Sequence, residues 1–214
     1  MKVDVAAAVG AVVREVRDVE RDGKPAKMVV ATRNYATDVD DLWDALTNAE
    51  RIPRWFLPIS GDLKLGGRYQ FTGNAGGVIT HCDKPKRLSV TWEHGGMVSW
   101  LTLHLSAQGA GTQLRLEHTA PVSPDMWDQF GPGAVGVGWE GGLMGLGRHI
   151  DGKGATVDPA EALAWSMSDE GKAFSRACSD AWGAASIANG TPPDAAKAAA
   201  ARTTAFYTGG EHKD

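Results

Sequence analysis

The sequence predicts an α+β fold: an antiparallel sheet, one long helix after it, and a helical extension beyond. Three observations predict it. From Gly61 to Thr119 apolar residues recur with period two in short runs separated by turn residues, the pattern of half-buried strands. The stretch Gly131–Ile150, GPGAVGVGWEGGLMGLGRHI, has the length and apolar content of a helix but carries eight glycines. A glycine in a helix interior costs up to about 1 kcal/mol relative to alanine, so this stretch is helical only where something large packs around it. Beyond Asp151 the chain turns alanine-rich and helical in period.

Taken in order, residues 12–20 (VVREVRDVE) and 27–36 (KMVVATRNYA) are rich in β-branched residues and flank Asp22-Gly23, a hairpin signal. In 37–52, Val39, Leu42, Trp43 and Leu46 share one helical face, Thr37 or Asp38 can cap it, and Pro53 is expected to stop the run. Arg54–Pro58 reads as a short second helix. Leu63, Leu65, Tyr69 and Phe71 are read as one strand pair bending at Gly66-Gly67, followed by strands at Val78–Cys82 and Leu88–Trp92. In Met97–Leu105, Leu101, Leu103 and Leu105 face opposite Trp100, Thr102 and His104; after the turn 108–111, Leu114, Leu116 and His118 face opposite Gln113, Arg115 and Glu117. Ser123-Pro124-Asp125 starts a helical turn over 124–130. In the glycine-rich stretch, residues 131–137 are candidates for loop, with helix from about Gly138. Asp158-Pro159 opens a further helix, and Ser168 caps the next, with a stripe of Phe174, Ala177, Cys178, Ala181, Ala185 and Ala188 beside Trp182. Gly190 ends that helix, and Thr191–Asp194 starts a last one running to about Tyr207.

At 214 residues the chain can bury a substantial core. A net charge of −4, with Lys and Arg scattered, gives no field for nucleic acid or an anionic membrane. Two cysteines, Cys82 and Cys178, are no disulfide framework and suit a reducing compartment. The run Val5–Val13 is too short to span a bilayer and, preceded by Asp4, lacks a signal-peptide cleavage site. A cytoplasmic protein with neither nucleic acid nor membrane as partner is expected.

Two glycine patterns, Gly131–Gly136 and Gly136–Gly141, match G-x-G-x-x-G. A dinucleotide site also needs a preceding strand in a βαβ unit and an acidic residue about twenty positions on; here a helical turn precedes and no parallel strand follows. His81, Cys82, His94 and His104 lack ligand spacing on one face, so no metal is expected, and no cofactor. No nucleophile elbow and no catalytic constellation can be read.

Leu42–Thr47, Arg54–Phe56, Gly61–Tyr69, Leu88–Glu93, Ser99–Leu101 and Gly111–His118, in this order and spacing, resemble the SRPBCC (START-like, birch-pollen-allergen-like) superfamily, in the branch named after the activator of Hsp-90 ATPase. The resemblance covers roughly residues 27–150. It implies a helix-grip fold, in which a curved antiparallel sheet wraps the long helix, leaving an apolar cavity; small residues on that helix would let the sheet approach or leave room for a ligand. The expected organisation is a helix-grip domain over 1–152, with core 27–150 and an extra N-terminal strand at 12–20, and an α-helical extension over 153–214. That extension would pack on the domain or on a partner subunit.

The resemblance implies a binding protein for a small hydrophobic, lipid- or polyketide-like molecule. Its alternatives are a cyclase, dehydratase or hydrolase-like enzyme, and a co-chaperone-like or homodimeric interaction protein joined through the C-terminal helices. Chaperone activators of eukaryotes carry a further N-terminal domain for which these 214 residues leave no room. Trp55, Tyr69, Phe71, Trp92, Leu103, His118, Trp139 and Met144 are the candidate ligand contacts; the competing reading of each is ordinary core packing. Tyr69 and the indoles combine an apolar body with one polar group. His118, inward with Leu114 and Leu116, is the candidate catalytic residue if there is chemistry, and otherwise a core histidine satisfied by a neighbour.

Overall fold

The computed structural model describes residues 2–122 and 124–210; Ser123, expected to open a helical turn, lies outside them. The chain opens with α1 (Val5–Gly10), capped by the Asp4 carboxylate, which accepts from Ala7 N at 3.0 Å. Strands β1 (Val12–Arg21) and β2 (Lys24–Tyr35) form the expected hairpin. Asp22 and Gly23 both take positive φ, 52° and 73°, as a two-residue turn that follows strand twist requires.

Helix α2 (Val39–Thr47) is capped by Asp38, which accepts from Asp41 N, and buries Leu42, Trp43 and Ala45. It ends at Thr47 because Asn48 turns extended (φ −82°, ψ 120°), five residues before Pro53. Pro53 does not stop it: it sits inside a 3-10 turn, Ile52–Arg54, which takes the place of the expected helix at Arg54–Pro58. Proline fits there because the first turn has no use for its missing N–H.

The meander follows as β3 (Ile59–Gly61), β4 (Arg68–Phe71), β5 (Gly76–Asp83), β6 (Arg87–His94), β7 (Met97–Gln108) and β8 (Gly111–Pro121). The strand expected through Leu63 and Leu65 does not form. Two tight turns intervene there, Lys64 N to Asp62 O at 2.9 Å and Gly67 N to Lys64 O at 2.8 Å, and Leu65 stays 62% exposed. The partner of β4 is Ile59–Gly61, in register Ile59↔Phe71 and Gly61↔Tyr69. The strand order is β1-β2-β8-β7-β6-β5-β4-β3, so the sheet is a hairpin and a meander joined at β8.

Five helices complete the described residues: α3 (Pro124–Phe130), α4 (Gly133–Asp151), α5 (Pro159–Ser166), α6 (Asp169–Ala188) and α7 (Pro193–Thr208). The caps expected at Asp158 and Ser168 are made. Helix α4 starts at Gly133, not near Gly138.

Contacts divide the chain into two compact units. The first holds Met1–Ala31, Pro121–Gly141 and Asp158–Asp214; the second holds Thr32–Ala120 and Gly142–Val157. The change of composition at 152/153 lies inside the second unit.

In the first unit, the first half of α4 is helical because side chains of α6 and α7 replace its own. A Cβ on Gly136 would lie 2.3 Å from the Trp182 ring, which is fully buried, and one on Gly133 would lie 3.0 Å from Thr203. The buried stripe of α6 is Phe174, Ser175, Cys178, Ser179, Trp182, Gly183 and Ser186. Of the alanines expected in that stripe none is buried, and Ala188 is exposed. Small hydroxyls replace them because each can return its proton to the helix backbone or a neighbour, as Ser179 does to Ser175 O at 2.8 Å.

In the second unit, Leu143, Met144, Leu146 and Ile150 of α4 are buried, and the Tyr35 hydroxyl donates to Leu143 O at 3.1 Å. Gly145 is needed for close approach, since a Cβ there would stand 2.7 Å from the Trp55 carbonyl. The expectation that the glycines of α4 let the sheet approach holds, among the described residues, at Gly147, which meets the Arg33 side chain of β2, whereas Gly142 and Gly145 admit the Trp55-Phe56 segment.

Candidate functional site

The site is built on the inward face of the meander in the second unit. Alternation puts Leu101, Leu103 and Leu105 of β7 opposite His118, Leu116 and Leu114 of β8, all buried. Strand β6 adds Val90 and Trp92, paired with Leu101 and Ser99. Across this face runs a row of rings in contact. Trp55 and Phe56 are 5.6 Å apart between centroids, Phe56 and Phe71 meet edge-on at 5.1 Å, and Phe71 and Trp92 lie at 5.7 Å. Trp92 then meets the His118 imidazole at 6.3 Å, and Tyr69 packs on Phe71 at 5.5 Å.

The polar groups of the row have assigned partners. Ser99 Oγ donates to Trp92 O at 3.0 Å, so its lone proton is used and the contact of 2.8 Å to His118 is a donation from Nε2–H. His118 is 6% exposed, and burial lowers its pKa to about 4, so the ring is neutral at neutral pH. The Tyr69 hydroxyl donates to Thr91 O at 2.7 Å, and burial, followed by the charge of Glu93, pushes the phenol above its ordinary pKa. Trp55 Nε1 donates to Ala45 O at 2.9 Å. The donors expected to serve a ligand are thus turned to the backbone at Tyr69 and Trp55.

Of the sequence-derived candidates, Trp55, Tyr69, Phe71, Trp92 and His118 are brought together by these contacts. Leu103 and Met144 are buried in the same unit, at 8% and 9% exposure. Trp139 belongs to the first half of α4, in the other unit, and is half-buried. Phe56 and Ser99 were missed. Ser99 shares parity with Leu101 and was legible by alternation; Phe56 was not, because its position depends on where the 3-10 turn begins.

Two further polar clusters are structural. His149, fully buried, donates Nδ1–H to Ala155 O at 2.7 Å and accepts from Arg51 Nε at 3.3 Å, since arginine can only donate. Arg51 in turn pairs with Asp41 at 2.7 Å and Asp44 at 3.0 Å. In the first unit, Glu140, 1% exposed, accepts from Arg14 Nε at 2.7 Å and from Cys178 Sγ at 3.1 Å. Burial, then the Glu140 charge, raises the pKa of that thiol, which makes it unreactive. His81, Cys82 and His94 are exposed. Among the described residues no group of three or more His, Cys, Asp or Glu is placed to hold a metal ion, and no helix is long and apolar enough to cross a membrane.

Comparison with known proteins returns one family and several structures. The family model described as activator of Hsp90 ATPase homolog 1-like protein matches residues 36–151. The crystal structure of CalU16 from Micromonospora echinospora is similar with 34% identity and a TM-score of 0.66, over 82% of this chain and 98% of that one. The solution structure of CalU16 gives 34% identity and a TM-score of 0.70 over 84% and 97%. DynU16, a protein of the dynemicin biosynthetic locus, shares the fold at 22% identity and a TM-score of 0.53, over 61% of this chain and 50% of that one. No curated protein matches. The likeness to CalU16 covers more of the chain than the family model, so the resemblance continues outside residues 36–151. The inward aromatic face, the meander and the glycine-rich α4 fall within the matched span, and the fold is the helix-grip fold: the chain belongs to the activator of Hsp90 ATPase homolog 1-like family of the SRPBCC superfamily.

Proposed function

We propose that the protein binds a small, uncharged hydrophobic molecule against the inward face of the meander. The observation that carries this reading is the row Trp55-Phe56-Phe71-Trp92-His118, an apolar aromatic surface ending at an imidazole that burial keeps neutral. The row offers stacking and contact area and itself carries no fixed charge. Catalysis by a serine–histidine pair is disfavoured by the same geometry. The Ser99 proton is directed to Trp92 O, and a histidine lowered to about 4 is a weak base at neutral pH.

Native mass spectrometry of the protein purified from its own host tests the proposal. The expected result is an apolar compound that co-purifies and leaves on denaturation, with less of it retained by a Leu103→Trp variant that fills the inward face. Arrival of the wild-type protein at its bare mass, together with no binding of added apolar aromatics, overturns it.

A further inference from the structure

A pocket partly open to solvent lies in the first unit, and no residue of the aromatic row lines it. It measures about 500 Å³ and is bounded by the β1–β2 hairpin, α3, α6 and α7. That volume falls within the roughly 300–1,000 Å³ of small-molecule sites. Its walls are the rings of Trp127 and Phe130 and the small residues Gly131, Gly183, Ala196 and Ala199.

The polar groups around it determine what fits. Inside, Ser179 donates to Ser175 O at 2.8 Å and Ser186 to Thr191 Oγ1 at 2.9 Å. At the rim, Lys27 pairs with Asp18 and lies 5.1 Å above the Trp127 ring, and Asn189 Nδ2 donates to Asp18 at 3.0 Å. The one cation of the lining is thereby engaged, while the Asp128 carboxylate is exposed at the edge. Arg202, which donates to the Asp128 and Gln129 carbonyls at 3.0 and 2.6 Å, stands beside the two aspartates and the lysine, so the border is close to neutral and offers an ion no net field to offset its desolvation. We infer that this cavity is a second ligand site, for an uncharged aromatic molecule whose hydrogen-bond donor points to the rim carboxylates.

The test uses two fluorescent probes that differ by a sulfonate: N-phenyl-1-naphthylamine, uncharged with one N–H, and 8-anilinonaphthalene-1-sulfonate. Each is titrated into the full-length wild type and into Ala199→Leu, which fills the wall, and Ala195→Trp, which covers the mouth from an exposed position on α7. The expected result is saturable binding of the uncharged probe, at least about tenfold tighter than the sulfonate, a difference near 1.4 kcal/mol. Both variants should weaken that binding about tenfold or more, with the thermal midpoint held. Uncharged-probe binding that both folded variants leave unchanged, or sulfonate binding as tight as that of the uncharged probe, overturns the inference. If Ala199→Leu fails to fold, the surface variant Ala195→Trp decides alone.

Discussion

The two halves of α4 have the same glycine-rich character and bury opposite kinds of polar group. Gly133–Gly141, in the first unit, carries Glu140, an ionised carboxylate held by Arg14 with the Cys178 thiol beside it. Gly142–Asp151, in the second, offers its Leu143 carbonyl to Tyr35 and its His149 ring to Arg51 and Ala155. The second unit also buries His118 uncharged. The difference teaches how a poor helix is held. On one side the anchor is a buried charge pair, costly to break; on the other it is a neutral tyrosine–carbonyl bond together with an imidazole held by Ala155 O and by Arg51, whose charge is paired with Asp41 and Asp44 nearer the surface.

That contrast can be broken most severely at Glu140. Glu140→Leu leaves the Arg14 guanidinium buried without its carboxylate, and urea unfolding should show a loss of about 3–5 kcal/mol. The double variant Arg14→Met/Glu140→Leu should recover most of it. A double variant as unstable as the single would mean that the charge pair is not the anchor.

Acid should act next, and on the second unit. The unfolded His118 takes a proton below about pH 6.5, whereas the folded residue resists until about 4. The contribution of neutral burial is therefore complete above 6.5 and lost as pH falls towards 4, worth about 3 kcal/mol. His118→Gln should lack this slope in unfolding free energy against pH. Parallel profiles for variant and wild type would remove His118 as its source.

The smallest effects sharpen the reading of the glycines. Gly136→Ala drives a methyl into the buried Trp182 ring and should destabilise by about 1–3 kcal/mol. Gly141→Ala, where a Cβ meets nothing within 4 Å, should stabilise by up to about 1 kcal/mol from helix propensity alone. Thermal melts of both variants give the signs, and the same sign for both contradicts the packing account.

Much of this was legible beforehand where the signal is local. Period two placed β6, β7 and β8 and the inward parity of His118; side-chain caps placed α2, α5 and α6. What depends on distant partners was not legible. Nothing between Gly131 and Ile150 says that an indole about 46 residues on, at Trp182, lies against Gly136, so the start of α4 was set too late. The turns that detach Leu63 and Leu65 from the sheet are fixed by backbone hydrogen bonds within 62–67 and to Ile79, and alternation of apolar residues cannot see them. In the site, Trp55, Tyr69, Phe71 and Trp92 were named from composition and parity, and Phe56 was not. The loss of the Tyr69 and Trp55 donors to Thr91 and Ala45 carbonyls follows from register and side-chain reach, which no sequence pattern encodes.

The glycines of α4 also set a folding order. Helix nucleation is unfavourable even for good formers, and a segment with a glycine at every second or third position has little helicity of its own. Helix α4 should therefore condense late, onto partners already assembled around Trp182 and Trp55, with its contacts largely absent from the transition state. The gain from Gly141→Ala would then appear as slower unfolding, with the folding rate nearly unchanged.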